Sequence, residues 1–260
     1  MKDWIDKNQI TEVECIIPDL AGSARGKIMP ASKFVGTTAL RMPQSVFMQS
    51  VTGDYPHIWE KLNPLDVDMV LKPDPYTIRM LPWAREPSAQ VIHDCYDMDD
   101  RPIEFAPRQV LRRVLDCYAA EGWKPVVAPE LEFYLLQPNL DSKNPLMPPI
   151  GRTGRAERAG QSFNIDAVND FEPMFDDMYD FCEGQGLEID TLIHEEGMGQ
   201  MEINLLHGDP LELADQAFLF KRTVREAALR HDLYATFMAK PMEGQPGSAM
   251  HIHQSVEDIK

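Results

Sequence analysis

Cysteine is scarce in this chain. Cys15, Cys95, Cys117 and Cys182 are scattered through 260 residues with no Cys-x-x-Cys pair. That spacing excludes a thiolate zinc site and a disulfide framework, and it predicts free thiols. Long apolar runs are missing too, so no segment approaches the roughly 20 residues of a membrane span. The opening Met1-Lys2-Asp3-Trp4-Ile5-Asp6-Lys7-Asn8 has no signal-peptide core, which makes the cytoplasm the expected location. Basic charge is in deficit: 25 Lys and Arg stand against 42 Asp and Glu, a formal net charge of −17. Nucleic acid is a poor partner for such a chain, because phosphate binding needs local positive charge. Phosphate and nucleophile signatures are also absent. There is no Gly-x-x-x-x-Gly-Lys-Ser/Thr, no Gly-x-Gly-x-x-Gly opening a helix and no Gly-x-Ser-x-Gly elbow. Covalent serine or cysteine catalysis therefore has little support.

What the chain does have is length and apolar content enough for a real core, with 43% hydrophobic residues. It also has three short stretches with metal-grade side chains on alternate positions. These are Pro129-Glu130-Leu131-Glu132-Phe133, the run from His194-Glu195 to Met201-Glu202, and Gly247-Ser248-Ala249-Met250-His251-Ile252-His253. Side chains alternate sides along a strand, so residues two apart point the same way. Glu130 and Glu132 share a face, as do Gln200, Glu202 and Asn204, and as do His251 and His253. The intervening Leu131, Phe133, Met201, Ile203 and Ile252 are expected to face a core. Such a strand set reads as the floor of a cation site.

The first hundred residues are strand-rich and dense in proline. Strands are expected over Thr11–Ile17, with Val13, Cys15 and Ile17 on one side, near Ile28, and over Asp68–Leu71, Thr77–Leu81 and Gln90–Tyr96. Asp97-Met98-Asp99-Asp100-Arg101-Pro102 lacks the glycine and final glutamate of a calcium loop and reads as a solvated turn. Beyond it, a helix from Pro107 to about Glu121 carries an apolar stripe of Val110, Leu111, Val114, Leu115 and Tyr118. Trp123–Leu136 holds the first acidic strand. Pro138–Gly160, rich in Pro, Gly and Arg, is a long loop of the kind that tends to be functional. A second helix spans roughly Phe171 to Glu183 and ends at Gly184. A third runs from Pro210 to about His231, with Asp209 as N-cap and Leu213, Ala217, Phe220, Val224 and Ala228 on its buried face. The fold class is α+β, with helices on one side of a sheet and a ligand cleft on the other. A domain of residues 1–100 precedes one of residues 101–260.

Four carboxylates (Glu130, Glu132, Glu195, Glu202) and one imidazole (His251) would repel and perturb one another if clustered without a cation. Oxygen-rich ligation with one histidine and no thiolate suits Mg²⁺ or Mn²⁺. A dinuclear phosphohydrolase is a weaker reading, because its Asp-rich and His-rich motifs are absent.

Taken in order, these motifs resemble the glutamine synthetase family. The resemblance rests on Ala128-Pro129-Glu130-Leu131-Glu132-Phe133-Tyr134, the His194 to Glu202 stretch, Ala235-Thr236-Phe237-Met238-Ala239-Lys240-Pro241, and Gly247 to Ser255. It extends to the N-terminal half through Gly22 to Lys27, Lys72-Pro73-Asp74 and Leu81-Pro82-Trp83. It implies an N-terminal β-grasp domain and part of a catalytic domain with a curved antiparallel sheet. The implied reaction joins the γ-carboxylate of glutamate to an amine, using ATP and two Mg²⁺ or Mn²⁺ ions. Glu132, Glu195 and Glu202 would hold one ion, and Glu130 and His251 the other. Gly247 would lie by the glutamate, and His253 and Ser255 toward the nucleotide. A ring-shaped homo-oligomer is implied as well.

Two departures turn the resemblance toward the branch that glutamylates larger amines, the γ-glutamylputrescine synthetase type. Met48, in Phe47-Met48-Gln49-Ser50-Val51, stands where ammonia-using members have the aspartate of Phe-Asp-Gly-Ser-Ser. Pro246-Gly247-Ser248-Ala249-Met250-His251 replaces Asn-Gly-Ser-Gly-Met-His. The chain stops at Lys260, so a C-terminally truncated member with little or no ligase activity of its own is expected; arginine-rich and flap segments with the catalytic groups would lie further on. An inactive remnant serving as a metal-binding or assembly module is the alternative.

Overall fold

Val13, Cys15 and Ile17 lie fully buried along β1 (Glu12–Pro18), as their alternation predicts. The structure is a computed structural model describing residues 1–37, 40–58, 61 and 65–259. It divides into two compact units, Met1–Lys124 with the residues from Asp258, and Pro125–Glu257. In the first, β1 is joined by β2 (Ala24–Pro30), β3 (Leu40–Pro43), β4 (Asp68–Pro73), β5 (Arg79–Met80) and β6 (Ser88–Tyr96). Their order is β2-β1-β6-β4-β3, with β5 also on β6; β1 and β6 run parallel and the other pairs antiparallel. One apolar cluster gathers Val13, Cys15, Phe34 and Val91, and a second gathers Ile17, Phe47, Leu71, Cys95 and Ile103. Only Arg79 and Met80 of the expected Thr77–Leu81 strand are extended in the sheet, because Pro75–Thr77 closes a 3-10 turn capped by Asp74. The Asp97 turn is as expected, its carboxylate accepting from the amides of Asp99 and Arg101. All four cysteines are free.

The helix Pro107–Ala120 corrects the sequence reading. Its expected apolar stripe is not its buried face: Val110 and Val114 are 42% and 46% exposed, whereas Arg108 is 5% exposed. Charge sets the rotation of this helix. The Arg108 guanidinium donates to Asp94 Oδ1 at 2.6 Å and to Asp74 Oδ2 at 2.7 Å, and Arg112 donates to the second Asp94 oxygen at 3.0 Å. Burial alone would lift the Asp74 carboxyl, but the bonds from Arg108 and the Tyr76 amide, with the Arg108 and Arg112 charges, hold it below the usual carboxylate range.

In the second unit, β7 (Trp123–Leu136, starting at the end of the first unit) is the organising strand, joined by β8 (Ile189–His194), β9 (Gln200–Leu205), β10 (Tyr234–Thr236) and β11 (Met250–Asp258). The order is β10-β7-β9-β8, and β11 also pairs with β7. Because β9 takes one edge of β7, β10 and β11 divide the other between them. Helix Glu172–Gln185 runs through the expected stop at Gly184 and ends one residue beyond it. Gly186 takes the left-handed conformation, φ 67°, that stops a helix. Helix Pro210–Arg230 begins as predicted, with Asp209 accepting from the amides of Leu211 and Glu212. The two helices are joined by a bond from Gln185 Nε2 to Thr223 Oγ1 at 2.8 Å. Arg225 stacks over Phe237, which in turn packs on Phe133, so the longer helix covers the apolar face of β7. Leu131, Phe133, Met201 and Ile203 are buried there as expected. Ile252 is not: β11 is an exposed strand paired with β7, and the residue is 55% exposed. Among the described residues, no helix is long and apolar enough to cross a membrane.

Two stability measurements check this account. Arg108→Met strands two mostly buried carboxylates, and urea unfolding should show a loss of about 3 kcal/mol; an unchanged midpoint would show the helix to be held otherwise. Burial also pushes the His93 imidazole down to about 4. A depressed folded pKa contributes stability above the unfolded value of about 6.5 that is lost as pH falls toward 4. Chemical denaturation at pH 7 and pH 4 should differ by about 3 kcal/mol on this account. His93→Gln should remove most of that difference.

A carboxylate floor on the central sheet

The β7–β9 register places Glu132 directly opposite Glu202, Glu130 opposite Asn204, and Tyr134 opposite Gln200. Cross-strand partners share a face, so the alternation read from sequence becomes a single polar surface backed by Leu131, Phe133, Met201 and Ile203. β11 closes it from the other edge of β7. The Glu132 amide donates to the Ala249 carbonyl at 3.1 Å, and the Ala249 amide donates to Glu132 Oε2 at 3.0 Å. Far along the pair, Ile259 N reaches Gly122 O. The two contacts run in opposite chain order, which makes the pairing antiparallel.

This register brings His251 and His253 to Glu130. His251 Nδ1 lies 3.4 Å from Glu130 Oε2, and His253 Nε2 lies 3.0 Å from Glu130 Oε1. Ligand atoms of Glu130, Glu202 and His251 all fall within 4.8 Å of one another. Glu195 follows β8 directly, its amide bonded to Gln200 O at 2.8 Å. The structure thus groups Glu202 with Glu130 and His251, while Glu132 commits one carboxylate oxygen to hydrogen bonds. Ser255 lies exposed on β11 and Gly247 in the segment before it.

A glutamine to which the sequence assigns no role beyond its polar face, Gln200, holds this assembly together. Gln200 Nε2 donates to Glu132 Oε2 at 2.8 Å and to the Gly247 carbonyl at 3.0 Å. Its Oε1 accepts from the Gly197 amide at 3.0 Å. The Tyr134 hydroxyl sits between Gln200 Oε1 at 3.2 Å and the Pro246 carbonyl at 2.7 Å. A Cβ at Gly197 would strike that hydroxyl, which accounts for the glycine. Sequence showed Gln200 only as a polar residue on the right face; its partners come from segments remote along the chain.

Like charge dominates the electrostatics. Burial, then the charges of Glu130, Glu195 and Glu132, push the Glu202 carboxyl up to about 7, against a downward pull from His251. Glu195 is raised by burial and by Glu132. Burial and the neighbouring Glu132 and Glu196 push the Tyr134 phenol up to about 12. His194 behind the floor has acceptors at both ring nitrogens, the Glu195 carbonyl at Nδ1 and Glu157 at Nε2. Burial pulls its pKa down, but the Glu157 and Glu195 contacts outweigh that and raise it. Both neighbours are acceptors, and they favour the doubly protonated ring.

The chain and its fold have counterparts among known proteins. The profile of the family described as glutamine synthetase, catalytic domain, matches residues 104–260. The chain belongs to the glutamine synthetase family. It is 34% identical to gamma-glutamylputrescine synthetase PuuA of Escherichia coli K12 over 99% of this chain and 56% of that protein. It is 29% identical to a glutamate–isopropylamine ligase of a Pseudomonas species over 100% of this chain and 57% of the relative. The solved structure of apo GmaS without ligand superposes with a TM-score of 0.80 at 25% identity, over 98% of this chain and 56% of that one. The chain therefore spans a little over half the length of these relatives.

The repulsion account makes a direct prediction. A carboxyl with a raised folded pKa contributes stability below the unfolded value, about 4.5, that is lost as pH rises through about 7. In EDTA, Glu202→Gln should raise the melting temperature at pH 8 by about 2–4 °C and leave it nearly unchanged at pH 4. Destabilisation at pH 8 would contradict the account.

Proposed function

We propose that this chain carries the cation-binding floor of an ATP-dependent ligase that joins the side-chain carboxylate of glutamate to an amine. The observation that carries the reading is the convergence of Glu130, Glu202 and His251 on one point of a shielded acidic surface. The residues fit a hard divalent cation. They offer oxygen ligands with one imidazole, they repel one another without a counter-charge, and Asn204 Oδ1 opposite Glu130 is buried with no hydrogen-bond partner. Glu195 and Glu132 extend the same surface and would complete the ligand set of two such ions. Bound there, Mg²⁺ or Mn²⁺ would polarise a phosphoryl oxygen and offset its developing charge.

In the proposed reaction the terminal phosphoryl group of ATP passes to the glutamate side-chain carboxylate. The amine then attacks the acyl phosphate, giving an amide, ADP and phosphate. The roles of this chain's residues follow from their placement. Gln200 and the Ala249 amide hold one Glu132 oxygen still, so the other faces the floor. The bond from Gln200 to Gly247 fixes the segment proposed to lie beside the glutamate. His253 and Ser255, exposed on β11, extend toward the nucleotide in this reading. The mixed sheet of the first unit supports a β-grasp module, and a ring-shaped homo-oligomer is the proposed assembly.

The acceptor is proposed to be an amine larger than ammonia. Met48, half-buried at the end of a 3-10 turn, supplies no carboxylate where ammonia-using members have one. The names of two relatives, a gamma-glutamylputrescine synthetase and a glutamate–isopropylamine ligase, favour the same reading.

Two measurements test this proposal. Mn²⁺ titration should saturate, and Glu130→Gln or His251→Ala should weaken it by about tenfold or more; unchanged affinity would remove the cation site. In full-length enzyme supplied with glutamate, ATP and Mn²⁺, putrescine should stimulate phosphate release more than ammonium. Release with ammonium but not with putrescine would overturn the amine assignment.

A further inference from the structure

Residues of the 137–164 segment and the short helix after it line a cavity of about 920 Å³, within the size range of small-molecule sites. Three arginines within seven residues, Arg152, Arg155 and Arg158, line it, in a chain whose formal net charge is −17. Of the acidic residues that share the wall, two are already committed. Asp170 lies 3.4 Å from Arg152, and Glu157 is bonded to His194 and to the Gly199 amide. Asp166 lies on the first turn of helix Ile165–Asn169, whose N-cap Asn164 also lines the cavity. Arg155 and Arg158 make no ion pair with any described residue. Two unpaired guanidinium forks, three residues apart on one concave wall, match the paired oxygens of carboxylate or phosphate groups.

We propose that this cavity is an anion-binding site for a small molecule with two acidic groups, held by Arg155 and Arg158. The cavity is separate from the carboxylate floor, yet its wall is fastened to it. Glu157 grips His194, the residue before Glu195; Phe163 N donates to His194 O at 2.9 Å; and Gly160 packs so closely on the Glu196 carbonyl that no Cβ would fit. An anion that orders this segment therefore bears on the backbone that carries Glu195.

Calorimetric titration of the full chain with inorganic phosphate, pyrophosphate, citrate and L-glutamate, in separate arms, tests the site. At least one arm should saturate, and a glutamate-only or a phosphate-type response distinguishes an amino-acid ligand from a phosphorylated one. Arg155→Gln with Arg158→Gln should weaken that binding by about tenfold for each guanidinium lost. The matching lysine variants, which keep the charge and lose the fork, should fall between. Both arginines are exposed, so the melting temperature and Mn²⁺ affinity of the glutamine variant should stay at wild-type values, which separates this site from the cation reading. No saturation in any arm, or equal affinity in wild type and the double glutamine variant, would overturn the proposal.

Discussion

Mutual repulsion among carboxylates is the constraint around which the second unit is arranged. Glu130, Glu132, Glu195 and Glu202 are close enough to perturb one another, and Glu202 is 7% exposed. Water alone does not offset that cost, and the chain supplies few cations to do it: the floor itself holds only imidazoles, from His251 and His253. The sheet tolerates the arrangement because the other face of β7 and β9 is buried. Leu131, Phe133, Met201 and Ile203 fix the register, and a slip of one residue would turn every carboxylate into the core. Hydrophobic burial thus holds a surface that electrostatics would disperse, and the residual strain is what a divalent cation would relieve.

The first unit meets the same problem with a different solution. Asp74 and Asp94 are as shielded as the floor, but Arg108 and Arg112 neutralise them with fixed forks. Both aspartates are satisfied within the chain, and Asp74 has a lowered pKa rather than a raised one. The contrast separates a structural acid cluster from a ligand-seeking one. Compensation by arginine closes the first, and its absence leaves the second open to a metal.

Local pattern made much of this legible. Period-two alternation at Leu131 and Phe133 gave the faces of β7, and Asp209-Pro210 gave the start of the long helix, because both are set by near neighbours. Where sequence misled, a distant charge or a strand edge decided. The Pro107–Ala120 stripe looked like a core face, yet Arg108 turned the helix toward aspartates from β4 and β6. Ile252 alternates like Ile203 but sits on a strand at the sheet margin, where alternation carries no burial. The partners of Gln200 were illegible for a related reason: they come from β7, the Gly197 turn and the segment before β11, and only the pairing register brings those together.

The long 137–164 segment shows how a stretch with little regular structure can still be rigid enough to carry a site. An irregular segment must find partners for its backbone outside helix or sheet. Here the hairpin beneath it supplies one, the His194 carbonyl that accepts from the Phe163 amide, and the Glu157 carboxylate in return accepts from the Gly199 amide. Gly199 itself is at φ 73°, and a Cβ there would collide with Pro149, so turn and loop are fitted to each other. His194 engages Glu157 at its Nε2, which leaves the arginines of the loop with one fewer acid to answer. Charge in the loop is therefore unevenly spent: Glu157 braces the hairpin, Asp141 caps an exposed turn, and three arginines line the cavity. That division gives an acidic protein a local cluster of guanidinium groups in the same unit as its carboxylate floor.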